Sequence, residues 1–400
     1  MCGIWEIQEI QRLPDGEEVT GKERKLLENM ELMEKLKMIS PSDEKAKALA
    51  AARWNAVAKP LHSLGVLEED IIKIAGMTGS ADISLGKKAL VVMCADNGIV
   101  EEGVTQTGRE VTAIVTENFT KGDTCSCIMA GHAGADVFPV DIGVAGTLEN
   151  CGSVHPLLSK KVMWGTNNFL KGPAMTREQA EEAVMTGIRL VEELKEEGYG
   201  IIAMGEMGIG NTTTSSAVAC VLLGRNPEEV TGRGAGLSDQ GLHRKISVIR
   251  EGIRERKPDP YDGLDVLSKV GGLDLAGLAG VCLGGAVSRI PVVVDGFISG
   301  AAALAAAAIC PKASDYMIAS HVSAEPAGKM VLSALGLTPA IEAGMCLGEG
   351  TGALAFLPLL DMALSIYTKM STFQDIHVEE YQEFPEDENR KSEKEGEQDE

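Results

Sequence analysis

The stretch GIIAMGEMGIGNTTTSSAVACVLLG, Gly200–Gly224, begins as an apolar run, passes through Gly205-Glu206 and Gly208-x-Gly210-Asn211, and continues as an Ala-rich helix. A strand that enters a helix through glycines lets the backbone approach an anion. It also presents the unpaired N–H groups and positive dipole end of a helix N-terminus. Thr212, Thr213, Thr214, Ser215 and Ser216 add hydroxyl donors. The stretch lacks the Gly-Lys-Ser/Thr ending of a Walker A loop, and Thr213 stands where a dinucleotide fingerprint needs its third glycine. It therefore predicts a phosphate cup in an α/β protein, without a standard NAD site. Glu206 would repel a phosphate and must face another group, such as a sugar hydroxyl or a nitrogen heterocycle.

Working outward, short β-branched runs alternate with amphipathic helices from Ala89 onward. That alternation predicts an α/β fold, a mostly parallel, Rossmann-like sheet flanked by helices. The helix expected over Thr176 to Glu197 has a capping-box pair, Thr176 and Gln179, and a Gly198 stop. Runs ending near Cys94, Gly143, Met204, Val294 and Ser320 are each followed by a glycine or a carboxylate. Loops at the carboxyl ends of parallel strands gather in one crevice, so these groups are expected to meet there. Before Ala89 the chain reads as helices, with apolar positions three and four apart from Leu26 to Met38 and again from Ala46 to Val57.

Composition narrows the function. The 400 residues carry a formal net charge of −22, which argues against a nucleic-acid or anionic-membrane partner. Asp375 to Glu400 holds twelve acids against Arg390, Lys391 and Lys394, the composition of a disordered, solvating tail. Nine scattered cysteines without CxxC pairs, behind no signal peptide, fit reduced thiols in the cytoplasm. The apolar run from Gly296 to Cys310 is shorter than the roughly twenty residues of a membrane span. Met1-Cys2-Gly3-Ile4 matches the start of amidotransferases with a cysteine nucleophile, but charged helical sequence follows instead of a β-rich domain.

A second embedded carboxylate occurs in Gly348-Glu349-Gly350-Thr351-Gly352. In an apolar pocket its pKa would rise, which suits a general base near neutral pH. The six histidines show no metal-ligand spacing. Two such glutamates beside a phosphate cup point to transfer of a phosphorylated sugar.

The motifs EMGIGNTT (Glu206–Thr213), RGAGL (Arg233–Leu237) with Lys245, PVVVDGF (Pro291–Phe297), SHVSAE (Ser320–Glu325) and LGEGTGA (Leu347–Ala353) occur in this order. Together with KPLHSLG (Lys59–Gly65) and ADNG (Ala95–Gly98), they resemble the nicotinate-nucleotide–dimethylbenzimidazole phosphoribosyltransferases, from about Lys59 to Thr372. The resemblance implies a cofactor-free reaction of two small molecules. Nicotinate mononucleotide and a benzimidazole base give an α-ribazole 5′-phosphate, for cobalamin assembly, and nicotinate. It also implies a homodimer and a small helical domain built from both chain ends. That divides the chain into 1–88, an α/β core over 89–340, a loop and helix over 341–373, and the tail from 374.

By the same resemblance Glu349 looks like the base that deprotonates the benzimidazole, and Glu206 like a partner acid near base and ribose. Gly208, Gly210, Asn211, Thr212 and Thr213 look like the phosphate cup, with Gly234 and Lys245 contributing. Ser323 and Gly352 would lie by the departing nicotinate, and Thr105, Ile114, Met207 and Leu347 would wall the base pocket. The chain departs from the family pattern at Leu61-His62, at Asn97 and at Ile114, where a glutamine is expected; the changes bear on base specificity. Two other readings are a non-catalytic homologue that binds a base or nucleotide, and a nicotinamide-dependent oxidoreductase. Intact Glu206, Lys245 and Glu349 weigh against the first, and the broken fingerprint against the second.

Overall fold

The computed structural model describes residues 21–382; Cys2 and the part of the acidic tail beyond Gln382 lie outside the described residues. Six parallel strands form one sheet: β1 Lys87–Ala95, β2 Ala135–Gly143, β3 Leu158–Ser159, β4 Tyr199–Met207, β5 Val292–Val294 and β6 Met317–Ala319. Their order is β3-β2-β1-β4-β5-β6. The chain builds outward from β1 to one edge, then restarts at β4 and builds to the other. The order therefore reverses between β1 and β4, and parallel α/β sheets bind ligands at such a switch point. The central strands are buried over nearly their whole length, which explains why β1 and β4 read as continuous apolar runs.

The expected parallel α/β architecture is present. β3, too short to leave a pattern, extends the sheet beyond the five strands read from the sequence. A second difference matters more. β4 runs through Gly205, Glu206 and Met207, with Glu206 in register with Met93, so Glu206 is a strand residue and not a turn residue. The helix expected after Thr176 spans Arg177–Glu196 and carries both hydrogen bonds of its capping box. It packs along helix Leu273–Ser288, where Gly187 and Gly280 let the two backbones meet.

Helices from the two chain ends pack together. Trp54 of Glu44–Ala56 meets Tyr367 of Thr351–Lys369 edge to face, ring centroids 5.2 Å apart, and Arg53 binds the carbonyls of Tyr367 and Met370. Thr351–Lys369 is the one helix among the described residues long and apolar enough to cross a membrane. Leu354, Phe356, Leu357 and Leu360 are buried within the protein, so its apolarity is used in the core.

Candidate active site

At the carboxyl ends of β4, β5 and β6 lies a cavity of about 190 Å³. Helix Asn211–Leu223 begins at its edge, entered through Gly208 and left-handed Gly210. Gly208 is required by packing: a Cβ there would lie 2.7 Å from Asp274 and press on the Ala95 carbonyl. Its role is thus close packing of the turn on β1, in addition to any approach to a ligand.

Thr212 lines the cavity, while Lys245 stands behind it. The Lys245 ammonium donates to the Thr212 hydroxyl oxygen at 2.8 Å and to the Gly232 carbonyl at 3.1 Å. With its oxygen occupied by the lysine, Thr212 is left with its own O–H to offer to an anion in the cavity. Burial pulls the pKa of Lys245 down to about 8, partly offset by Glu325. Near neutral pH the lysine remains mostly protonated, and an arriving phosphate would favour the charged form further.

Glu206 points into a buried acidic cluster. Desolvation, with Asp274 and Asp295 nearby, pushes its pKa up to about 8, so it is largely neutral at pH 7. It accepts hydrogen bonds from the Asn211 side chain and, at 3.3 Å, from the Glu349 backbone N–H. The loop carrying Glu349 is held from below. Residues 348, 349 and 350 all have positive φ (92°, 59° and 82°), and a Cβ on Gly348 would collide with the Glu206 carboxylate. Asp295 accepts from the N–H groups of Gly350 (3.2 Å) and Ala353 (3.0 Å). A buried carboxylate at a helix N-terminus fixes that end of the helix, and so fixes the loop. Glu349 itself has a pKa raised by burial, and the Ser126 hydroxyl donates to its Oε2 at 3.2 Å.

The expectation that every strand-end carboxylate reaches one crevice is only half met. Asp96 and Asp141 tie down neighbouring loops, Asp96 through the Ala145 N–H and Asp141 through the Val144 N–H and Lys161. Asp295 lines the cavity but spends its oxygens on the helix cap.

Of the residues singled out in the sequence, the cavity brings together Glu206, Met207, Gly208, Asn211, Thr212, Gly234, Ser323, Leu347 and Glu349. Gly210 and Thr213 belong to the turn but not to its lining, and the Thr213 hydroxyl is buried without a partner. Lys245 acts through Thr212, and Gly352 lies against His321. Thr105 and Ile114 are not in the cavity wall; the Ile114 side chain is exposed on helix Glu110–Lys121.

Sequence reading missed Ser126 and Asp274; His321, at the strand end after Ser320, was expected in the crevice without a role and does line the cavity. Asp274 could have been found as the lone acid in the apolar run Gly271–Val281, whereas Ser126 left no signal. Asn97 sits buried under the turn, its oxygen 3.5 Å from the Thr214 hydroxyl, so this departure from the family pattern is a packing residue beneath the cup.

Comparison with known proteins gives the family. A family model described as phosphoribosyltransferase matches residues 39–378. The chain belongs to this phosphoribosyltransferase family. It is 48% identical over 351 residues to the nicotinate-nucleotide–dimethylbenzimidazole phosphoribosyltransferase of Acetivibrio thermocellus, covering 88% of this chain and 99% of the relative. The enzyme of the same name from Chloroflexus aggregans is 46% identical over 353 residues, again 88% of this chain and 99% of the relative. The crystal structure of the Thermus thermophilus enzyme superposes with a TM-score of 0.78 at 39% identity, covering 85% of this chain and all of that one. The family assignment makes the protein a pentosyltransferase, and the cavity at the carboxyl ends of β4, β5 and β6 is its candidate site.

Proposed function

We propose that the protein transfers the phosphoribosyl group of nicotinate mononucleotide to 5,6-dimethylbenzimidazole or a related base, releasing nicotinate and an α-ribazole 5′-phosphate. The observation that carries this reading is a half-buried glutamate, Glu349, held by a capped loop on the wall of a cavity that also contains a phosphate cup. The cationic pyridinium is an activated leaving group and needs no acid. What the reaction needs is a base on the incoming nucleophile and alignment of the two reactants. Glu349 takes the N–H proton of the benzimidazole, and the other ring nitrogen attacks the anomeric carbon. The C–N bond to nicotinate breaks as its electron pair returns to the pyridine ring. Attack from the face opposite nicotinate inverts the β-nucleotide to the α-product. Thr212, backed by Lys245, and Gly234 hold the phosphate. Glu206, kept neutral by burial, donates a hydrogen bond to sugar or base.

The working unit is a homodimer in the cytoplasm. Ile128 and Met362 are exposed apolar side chains on two helices that pack together, Cys125–Ala133 and Thr351–Lys369, a surface suited to a second copy.

Glu349→Gln tests the mechanism. It is expected to lower turnover about 10²–10⁴-fold while leaving nicotinate mononucleotide affinity near wild type. Wild-type turnover in this variant would remove Glu349 from the reaction.

A further inference from the structure

His321 lines the cavity, follows β6 and is almost fully buried, yet the proposed reaction gives it no task. The hydrogen bonds around it fix which of its nitrogens carries the proton. Ser320 Oγ lies 2.7 Å from the Val294 carbonyl and 3.0 Å from the Asp295 carbonyl, so its single proton is directed to a carbonyl. In its 3.1 Å contact with His321 Nδ1, the serine can then only accept. Asp295 Oδ1 stands 4.0 Å from the same nitrogen, too far for a hydrogen bond, and its negative charge favours a proton on that side. The proton therefore belongs on Nδ1, and Nε2 is left with a bare lone pair. Among the described residues Nε2 has no hydrogen-bond partner. It lies beside Gly296, another residue of the cavity lining, and a Cβ there would be 3.4 Å from it. Gly352 leaves room for the ring, since a side chain at that position would collide with the imidazole.

We infer that His321 Nε2 accepts a hydrogen bond from a hydroxyl of the sugar, which makes His321 a residue that selects ribosyl over deoxyribosyl substrates. The alternatives are disfavoured by charge. Burial lowers the pKa of His321, so the ring is uncharged near neutrality. A lone pair would repel the phosphate and the nicotinate carboxylate, and of the donors on the nucleotide the sugar hydroxyls remain. The inference rests on the proposed transfer reaction for its substrate, and on the Ser320–His321–Asp295 geometry for the direction of the bond.

The test compares nicotinate mononucleotide with its 2′-deoxy and 3′-deoxy analogues, by kcat/KM, in the wild type, His321→Asn and His321→Gln. Asparagine places its amide near Nδ1 and keeps a partner for Ser320, whereas glutamine places an oxygen near Nε2. The wild type should prefer the hydroxylated substrate over one analogue about five- to tenfold, the worth of one neutral hydrogen bond. In His321→Asn that preference should fall to near one, and His321→Gln should recover part of it. An unchanged preference in His321→Asn would overturn the inference.

A second measurement does not depend on the variants. In ¹⁵N spectra of the wild type, the Nε2 signal should be that of an unprotonated nitrogen, and should move upfield when nicotinate mononucleotide binds. A protonated Nε2 in the free protein, or the same movement with the benzimidazole alone, would also overturn it. If the wild type instead makes no product from nicotinate mononucleotide and a benzimidazole, it is the proposed reaction that fails.

Discussion

At the scale of single residues, the site works by controlling where protons and charges are held. Ser126 shows this for the base. Its hydroxyl stabilises the ionised form of Glu349, opposing the desolvation that raises that pKa. Ser126→Ala removes the donor, so Glu349 should titrate at a higher pH. The acid limb of the kcat/KM profile is expected to shift to higher pH, with turnover on the plateau little changed. An unshifted limb would mean that the hydroxyl does not reach the working carboxylate. The cup offers a sharper contrast, because Thr212 and Thr213 are adjacent and chemically identical. Thr212 lines the cavity and is held by Lys245; the Thr213 hydroxyl is buried with no partner. Thr212→Val should weaken nicotinate mononucleotide binding by about 1.5–3 kcal/mol, the cost of losing a hydrogen bond to a charged group. Thr213→Val should leave affinity unchanged and, by removing an unsatisfied polar atom, should not lower stability. Calorimetric titration of both variants checks the pair, and equal losses would mean that the turn is misassigned.

At the scale of elements, one helix carries an unresolved conflict. Asp70, on helix Val66–Thr78, is fully buried, and neither carboxylate oxygen has a hydrogen-bond partner; Lys73 comes no closer than 3.9 Å. Desolvation raises its pKa from 3.8 to about 7. The folded chain thus binds a proton that the unfolded chain releases. The associated stability is fully present below about pH 3.8 and is lost as pH rises through 7. A shift of this size corresponds to on the order of 4 kcal/mol. The melting temperature is expected to fall between pH 5 and pH 8, and Asp70→Asn should flatten that slope and raise stability at pH 8. An equal slope in the variant would mean that Asp70 is solvated. Glu206, with its own pKa raised to about 8, contributes in the same direction. That part belongs to the candidate site, where the proposed reaction uses Glu206 as a neutral acid.

At the scale of the whole molecule, two copies should associate through the face bearing Ile128 and Met362. Sedimentation of the wild type should give twice the chain mass, and Ile128→Arg should shift it toward a single chain. A monomeric wild type would reject the dimer.

Five of the six strands were legible because they are largely buried, and such strands must be mostly apolar whatever surrounds them. The Arg177–Glu196 helix was legible because its cap and stop are local. The glycine turn and the Gly348–Gly350 loop announced themselves because left-handed backbone and close packing admit few residue types. From these the sequence determined an α/β protein with a phosphate cup and two candidate glutamates. The tertiary structure decided which groups converge. Glu206 turned out to be a strand residue beside Asp274, some seventy positions away in sequence. Asp96 and Asp141 were taken by loops, Asp295 by a helix cap, and Thr213 was turned inward while its neighbour faces the cavity. No local pattern encodes those outcomes. A carboxylate's partner, its solvation and therefore its protonation depend on which distant segments the sheet order and helix packing bring against it.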